Sequence, residues 1–232
     1  MASHGKKRHT KRLAAPKVLG IKRKGIIWAK TVRPGPHGKQ DSIPLIMLLR
    51  DFLKICGSTR EARKPLNAGQ VLIDGKAIRD IGFPVGLMDI VSLKENSYIV
   101  VNVKGKLLPV KTKANYKLCK ITGKRLIAKG KWQLSLHDGR SLLVSDAKQY
   151  STGDTLKLSI PQVKVLEHYK LEKGSRCYVF RGRHAGAIGS LVDIQVFPGI
   201  TPSKARIIGE DGKEVVTLKD YVFVVDKDFK VQ

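Results

Sequence analysis

The chain has 232 residues, 42% apolar and 28% charged, which allows one large or two to three small globular domains and excludes a fibrous or wholly disordered protein. Lys and Arg number 45 against 19 Asp and Glu, a net charge of +26 that calls for a polyanionic partner and argues against an acidic small-molecule substrate. Cys56, Cys119 and Cys177 are odd in number and far apart, so neither a disulfide framework nor a Cys-x-x-Cys zinc knuckle is encoded, and a reducing compartment is expected. The longest apolar run, Ile43 to Leu49, is interrupted by Pro44 and falls short of the ~20 residues a membrane span needs. The basic N-terminus leads into no apolar core, so no secretory signal is expected.

Residues 1–40 hold twelve basic side chains and no acid: Lys6, Lys7, Arg8, Lys11, Arg12, Lys17, Lys22, Arg23, Lys24, Lys30, Arg33 and Lys39. Gly and Pro punctuate this stretch, which predicts an extended arm without elements of its own, ordered by its partner. Its apolar island, Ile26-Ile27-Trp28, is expected to anchor the arm onto its own domain rather than to stack on a base. Residues 96–137 form a second acid-free block with ten basic side chains, so 22 of the 26 net charges lie in two segments. Blocks of this kind generate fields suited to a phosphate backbone.

From residue 41, Leu45, Leu48, Leu49, Phe52 and Leu53 recur at helical spacing, leaving Arg50, Asp51 and Lys54 for solvent, and Gly57 ends the helix. Ser58 and Glu61 form a capping box that starts a second helix, which runs to about Asn67 before Gly69. Arg60, Arg63, Lys64 and Asn67 share its polar face, while Ala62 and Leu66 face the core. Val71 to Ile73, Asp74-Gly75 and Lys76 to Ile78 read as a hairpin with a two-residue turn. Beyond Gly86 only short alternating runs remain. Among them, Trp132, Leu134 and Leu136 form a half-buried strand that turns at Asp138-Gly139 into Ser141 to Val144.

Lys173 to Ile194 contains glycines at 174, 182, 186 and 189, a spacing that fits neither a P-loop nor a dinucleotide fingerprint. Strand, glycine loop, strand is the local reading, with Arg181, Arg183 and His184 displayed at the tip. This stretch resembles a KOW motif, the first hairpin of a small SH3-like barrel, although Ser175 stands where Asp is usual. Leu45 to about Leu93 resembles the S4-type RNA-binding domain. That resemblance implies RNA contacts for Arg60, Arg63, Lys64 and Lys76.

Further motifs follow one another along the whole chain. They are Lys11-Arg12-Leu13-Ala14-Ala15-Pro16-Lys17, Gly35-Pro36-His37, Asp74-Gly75-Lys76, Phe83-Pro84 with Gly86-Leu87-Met88-Asp89, Tyr116-Lys117-Leu118-Cys119-Lys120 and His137-Asp138-Gly139-Arg140. In this order they resemble the small-subunit ribosomal protein S4e family of archaea and eukaryotes. Ser42-Ile43 departs from the commoner Cys-Leu, and the lack of a long basic C-terminal extension looks archaeal.

The resemblance implies an α+β, multi-domain chain. Its parts are a basic arm (1–40), a small αα-β S4-type domain (41–96), a central β-barrel-like domain (97–170) and an SH3-like KOW barrel (171–232). The implied function is that of a structural constituent of the small ribosomal subunit in the cytoplasm. Its partners would be small-subunit rRNA and neighbouring ribosomal proteins, with no membrane, small-molecule substrate, cofactor or homo-oligomer expected. Candidate rRNA contacts are the arm's basic residues Lys6, Lys7, Arg8, Lys11, Arg12, Lys17, Lys22, Arg23, Lys24, Lys30 and Arg33, with His37. Arg60, Arg63, Lys64, Lys76, Arg181, Arg183 and His184 complete the set.

Two other classes fit parts of the sequence. One is an RNA-modifying enzyme guided by its S4-type domain, for which about 75 residues of basic β structure would have to serve as the catalytic domain. The other is a KOW-containing transcription factor, whose polymerase-binding domain is not visible. No motif places a nucleophile, and His137-Asp138 reads as a turn rather than a catalytic pair. His4 and His9 sit among cations without a carboxylate or thiolate, so no metal site is expected.

Overall fold

The computed structural model describes residues 8–22, 24–94, 96–127, 130–227 and 229. The chain is mostly β with few helices and divides into two compact units. One runs to Val100 and takes in Lys106–Lys113; the other comprises Val101–Gly105 and the residues from Ala114 onward. The expected break at 96/97 therefore falls at the start of a strand, and the expected parts 97–170 and 171–232 belong largely to one unit. Among the described residues no helix is long and apolar enough to cross a membrane.

In the first unit, β1 (His9–Lys11) pairs antiparallel with β2 (Trp28–Lys30), placing His9 opposite Lys30 and Lys11 opposite Trp28. Two 3-10 turns, Arg12–Ala14 and Lys17–Leu19, connect them. Strand alternation turns Ala29 inward, where it is buried with Leu19, and the Thr10 hydroxyl meets that of Thr31 at 2.6 Å. The expectation of an arm without elements of its own is thus corrected for residues 8–40. Two buried apolar side chains, too sparse to register as periodicity, suffice once a pairing strand satisfies the backbone.

After β3 (Ile43–Pro44), α1 (Leu45–Met47) winds on as a π-helical segment, Leu48–Phe52, closed by Leu53 N–H donating to the Leu48 carbonyl at 2.9 Å. Leu45, Leu48 and Leu49 are buried as their spacing predicts. Pro44 starts the helix at Leu45 rather than at 41, since a residue preceding proline is held out of the helical region. α2 (Thr59–Asn67) carries the predicted box: Ser58 Oγ accepts from Glu61 N–H at 3.2 Å, and Glu61 Oε2 accepts from Gly57 N–H at 2.9 Å. Ala62 and Leu66 are fully buried on its inner face.

The hairpin of β4 (Val71–Ile73) and β5 (Lys76–Ala77) turns at Asp74-Gly75 in the predicted register, Ile73 opposite Lys76. β6 (Pro84–Val85) pairs back with β3. β7 (Ile90–Leu93), β8 (Asn96–Val103) and β9 (Lys106–Thr112) complete a five-stranded sheet of order β5-β4-β7-β8-β9. The Lys17–Leu19 turn packs beside β9, which is how the arm's apolar side chains find cover.

The second unit holds two five-stranded antiparallel sheets. The first comprises β10 (Tyr116–Leu126), β11 (Trp132–Leu136), β12 (Ser141–Val144), β13 (Thr155–Ser159) and β14 (Val165–Tyr169), in the order β12-β11-β10-β13-β14. Its core gathers Cys119, Ile121, Leu134, Leu136, Leu156 and Leu158, with Trp132 packed at the margin. The predicted hairpin is present, Trp132 opposite Val144. The second sheet comprises β15 (Arg176–Val179), β16 (Ile188–Gln195), β17 (Lys204–Gly209), β18 (Glu214–Leu218) and β19 (Val222–Val224), in the order β18-β17-β16-β15-β19. Cys177, Val179, Leu191, Ile207 and Val222 form its core.

Polar bonds hold these sheets together. Lys120 Nζ donates to the carbonyls of Val222 and Asp220 at 2.7 and 2.9 Å, and burial pushes its ammonium down to about 8 against the opposing pull of Asp220. Lys117 and Asp138, each with a side chain 1% exposed, pair at 3.1 Å, and Arg140 Nε reaches the same carboxylate at 3.3 Å. Burial works to raise the Asp138 pKa, but the Lys117 ammonium, His137 and the Arg140 N–H together hold the carboxyl below its usual range. The Tyr116 to Lys120 and His137 to Arg140 motifs therefore interlock as structure.

Candidate nucleic-acid interface

Four of the proposed contacts lie close together in the first unit. Lys30 is pushed below the ordinary lysine pKa, first by burial and then by the fields of Arg33 and Arg8, with Arg63 adding to them and Asp80 opposing. The arm and the polar face of α2 therefore share one electrostatic environment, a convergence the linear spacing did not reveal. Arg8, Lys11, Lys17, Lys22 and Lys24 are exposed around it, as are Arg60, Arg63, Lys64 and, on β5, Lys76. Lys6, Lys7 and Arg23 lie outside the described residues.

Two arm cations are partly committed within the chain. Arg33 donates its backbone N–H to the Gly82 carbonyl at 2.8 Å and pairs with Asp80 at 3.1 Å, leaving its side chain 58% exposed. Arg12 is half-buried, with its Nε fully enclosed.

His37 is turned inward rather than presented to solvent. Its ring is 5% exposed, bonds Asp89 through Nε2 at 3.0 Å and lies against Gly86, where any Cβ would overlap it. Asp89 in turn accepts the Gly86 N–H at 2.8 Å. The Gly35-Pro36-His37 and Gly86-Leu87-Met88-Asp89 motifs thus clasp each other, Gly35 seating closely on Pro84. A histidine beside a basic arm resembles a phosphate contact in sequence; only the fold brings it to a buried carboxylate.

The apolar island is also placed differently from expectation. Ile26, Ile27 and Trp28 are 46%, 69% and 53% exposed, and the anchoring is done by Ala29 and Leu19. Lys11 Nζ stands 5.7 Å from the centre of the Trp28 ring.

In the second unit, the loop between β15 and β16 presents Arg181, Arg183 and His184 to solvent as predicted. Arg181 lies 5.9 Å from the Tyr221 ring centre, and Gly182 and Gly186 adopt φ of +90° and +103°. The loop is fastened on its other side, since Lys104 N–H donates to the Ala185 carbonyl at 2.9 Å and Gly186 N–H to that of Val179 at 2.8 Å. The second acid-free block, by contrast, turns part of its charge inward. Besides Lys117 and Lys120, Lys124 donates to the carbonyls of Ala147 and Tyr150 at 2.5 and 3.1 Å. Among the described residues no group of three or more His, Cys, Asp or Glu could hold a metal ion.

Such a surface, cationic side chains on a helix, a hairpin and a strand-paired arm, is that of a modular nucleic-acid-binding protein, and comparison with known proteins gives its kind. The S4 domain matches residues 44–91, the RS4NT (NUC023) domain residues 4–40 and the Ribosomal family S4e residues 93–165. The small ribosomal subunit protein eS4 of Methanothermobacter thermautotrophicus is 40% identical over 100% of this chain and 97% of its own length. That of Archaeoglobus fulgidus is 42% identical over 94% and 93%. The crystal structure of the 30S ribosomal protein S4e from Thermoplasma acidophilum is 33% identical with a TM-score of 0.70, covering 81% of this chain and 96% of that one. The chain belongs to the S4e family of small-subunit ribosomal proteins, a family of ribosomal structural proteins rather than enzymes.

Proposed function

We propose that this protein is a structural constituent of the cytoplasmic small ribosomal subunit, binding folded 16S-type rRNA beside neighbouring ribosomal proteins and catalysing no reaction. The convergence of Arg8, Lys30, Arg33 and Arg63 in one field carries this reading from the structure. Four cations against the Asp80 carboxylate leave an excess of positive charge, and a folded RNA supplies phosphates in fixed array to neutralise it. Phosphate neutralisation provides affinity, while fit to an RNA junction provides selectivity.

The modules divide the work. The arm, residues 1–40, and the S4-type domain, 41–96, contribute Arg8, Lys30, Arg33 and Arg63 to one basic surface. Residues 97–170 form a central β domain whose buried Lys117 bonds within it and whose Lys120 bonds Asp220 and Val222, and residues 171–232 are an SH3-like KOW barrel offering Arg181, Arg183 and His184. A five-stranded antiparallel sheet in which the glycine loop joins β15 to β16 supports that last assignment.

The double change Arg60→Ala and Arg63→Ala tests the reading. Both side chains are exposed, so the melting curve is expected to stay that of the parent, while affinity for small-subunit rRNA in filter binding falls by about 1 to 3 kcal/mol. Parent-like affinity would remove α2 from the interface, and a collapsed melt would mean that the face is needed for folding.

A further inference from the structure

The ribbon of β1 and β2 has two unlike faces. Thr10 and Ala29 lie on the inner one, while His9, Lys11, Trp28 and Lys30 alternate on the outer one. The indole is 53% exposed although it is among the largest apolar side chains in the chain, and it packs into none of the cores described above. It is also held in place. Lys11 faces it directly across the ribbon, Arg12 N–H donates to the Ile27 carbonyl at 2.9 Å, and Thr31 N–H to that of Arg8 at 3.1 Å.

We propose that Trp28 is a stacking platform for one unpaired nucleobase of the bound RNA, with Lys11 and Lys30 on the flanking phosphates; this rests on the rRNA-binding function above and assigns one site within it. A base offers an apolar face to the indole and a phosphate on either side to the cations, which is the arrangement of alternating aromatic and basic residues found here. A helix within RNA hides its base faces in the stack, so the platform selects a bulged, looped or terminal nucleotide. A protein partner would need an acidic rim to approach this outer face, since the stretch preceding Asp41 contains no acid. RNA carries the required charge at every nucleotide. The neighbouring Ile26 and Ile27 are exposed as well.

The test uses the full chain, its Trp28→Ala and Trp28→Phe variants, and three probes: a short oligouridine, a blunt RNA duplex of equal length and deproteinised small-subunit rRNA. The Trp28 emission, taken as the difference between parent and Trp28→Ala, is expected to be quenched by oligouridine and by rRNA but not by the duplex. Trp28→Ala is expected to weaken oligouridine and rRNA binding roughly 5- to 150-fold, the range one stacked base contributes, and Trp28→Phe to retain most of the affinity. Equal quenching by duplex, or unchanged affinity in Trp28→Ala while the parent still binds rRNA steeply with salt, overturns the platform and leaves the rRNA-binding function standing. Emission that responds to intact subunit proteins but not to naked rRNA assigns the face to a protein and equally overturns it. Loss of rRNA binding in the parent would overturn the function itself.

Discussion

Gly189→Ala is expected to destabilise the second unit by about 3 kcal/mol or more, because the added methyl has nowhere to go. Gly189 sits on β16 opposite Gly209 of β17, and a Cβ there would overlap the Ile208 carbonyl oxygen and lie 2.7 and 2.8 Å from Ile208 C and Gly209 Cα. All three are backbone atoms of the partner strand, so relief requires moving the strand itself. Gly186→Val meets a different obstacle: its nearest contacts are ordinary at 3.5 Å, but φ of +103° is strained for a β-branched residue, which costs about 1 to 3 kcal/mol. Urea melts of both variants check the order. Gly189→Ala melting like the parent would show that β16 and β17 are not in this register, and a parent-like Gly186→Val would show that the loop relaxes freely.

The largest effect on binding is expected from removing five exposed cations of the arm together. Arg8, Lys11, Lys17, Lys22 and Lys24, each changed to Gln, leave Leu19 and Ala29 buried and both strands intact, so the fold is kept. If every one of these side chains meets a phosphate, the slope of log K against log salt flattens by about 4. Filter binding of small-subunit rRNA at several salt concentrations measures it. A slope equal to the parent's would place the arm away from RNA and assign its charge to solubility alone.

Much of this arrangement was legible in the sequence, and the rest was hidden for identifiable reasons. The Ser58-Glu61 cap, the Asp74-Gly75 hairpin and the Trp132 to Leu136 strand are local, and each was fixed by residues within a few positions of one another. The polar face of α2 followed from helical spacing alone. The arm's strands did not, because three-residue strands leave too little alternation to read and because their cover comes from β9, far away in sequence.

Long-range pairing also decided which polar residues serve structure. His37 and Asp89 stand 52 residues apart, and Lys120 bonds carbonyls 100 and 102 residues on. Charge counting treats these side chains like any others, whereas a buried partner removes them from the surface. Trp28 was misread for the opposite reason. Its size suggested an anchor, but strand parity gave the core to Ala29 and left the indole outside.

The central claim is that this chain resides in the small ribosomal subunit. Sedimentation of a native lysate through a density gradient, with the protein located by antibody, measures it most directly. The account predicts that most of the pool travels with small subunits at low salt and is released together with other rRNA-bound proteins as salt is raised. A pool sedimenting mainly as free protein, or with large subunits alone, would contradict it.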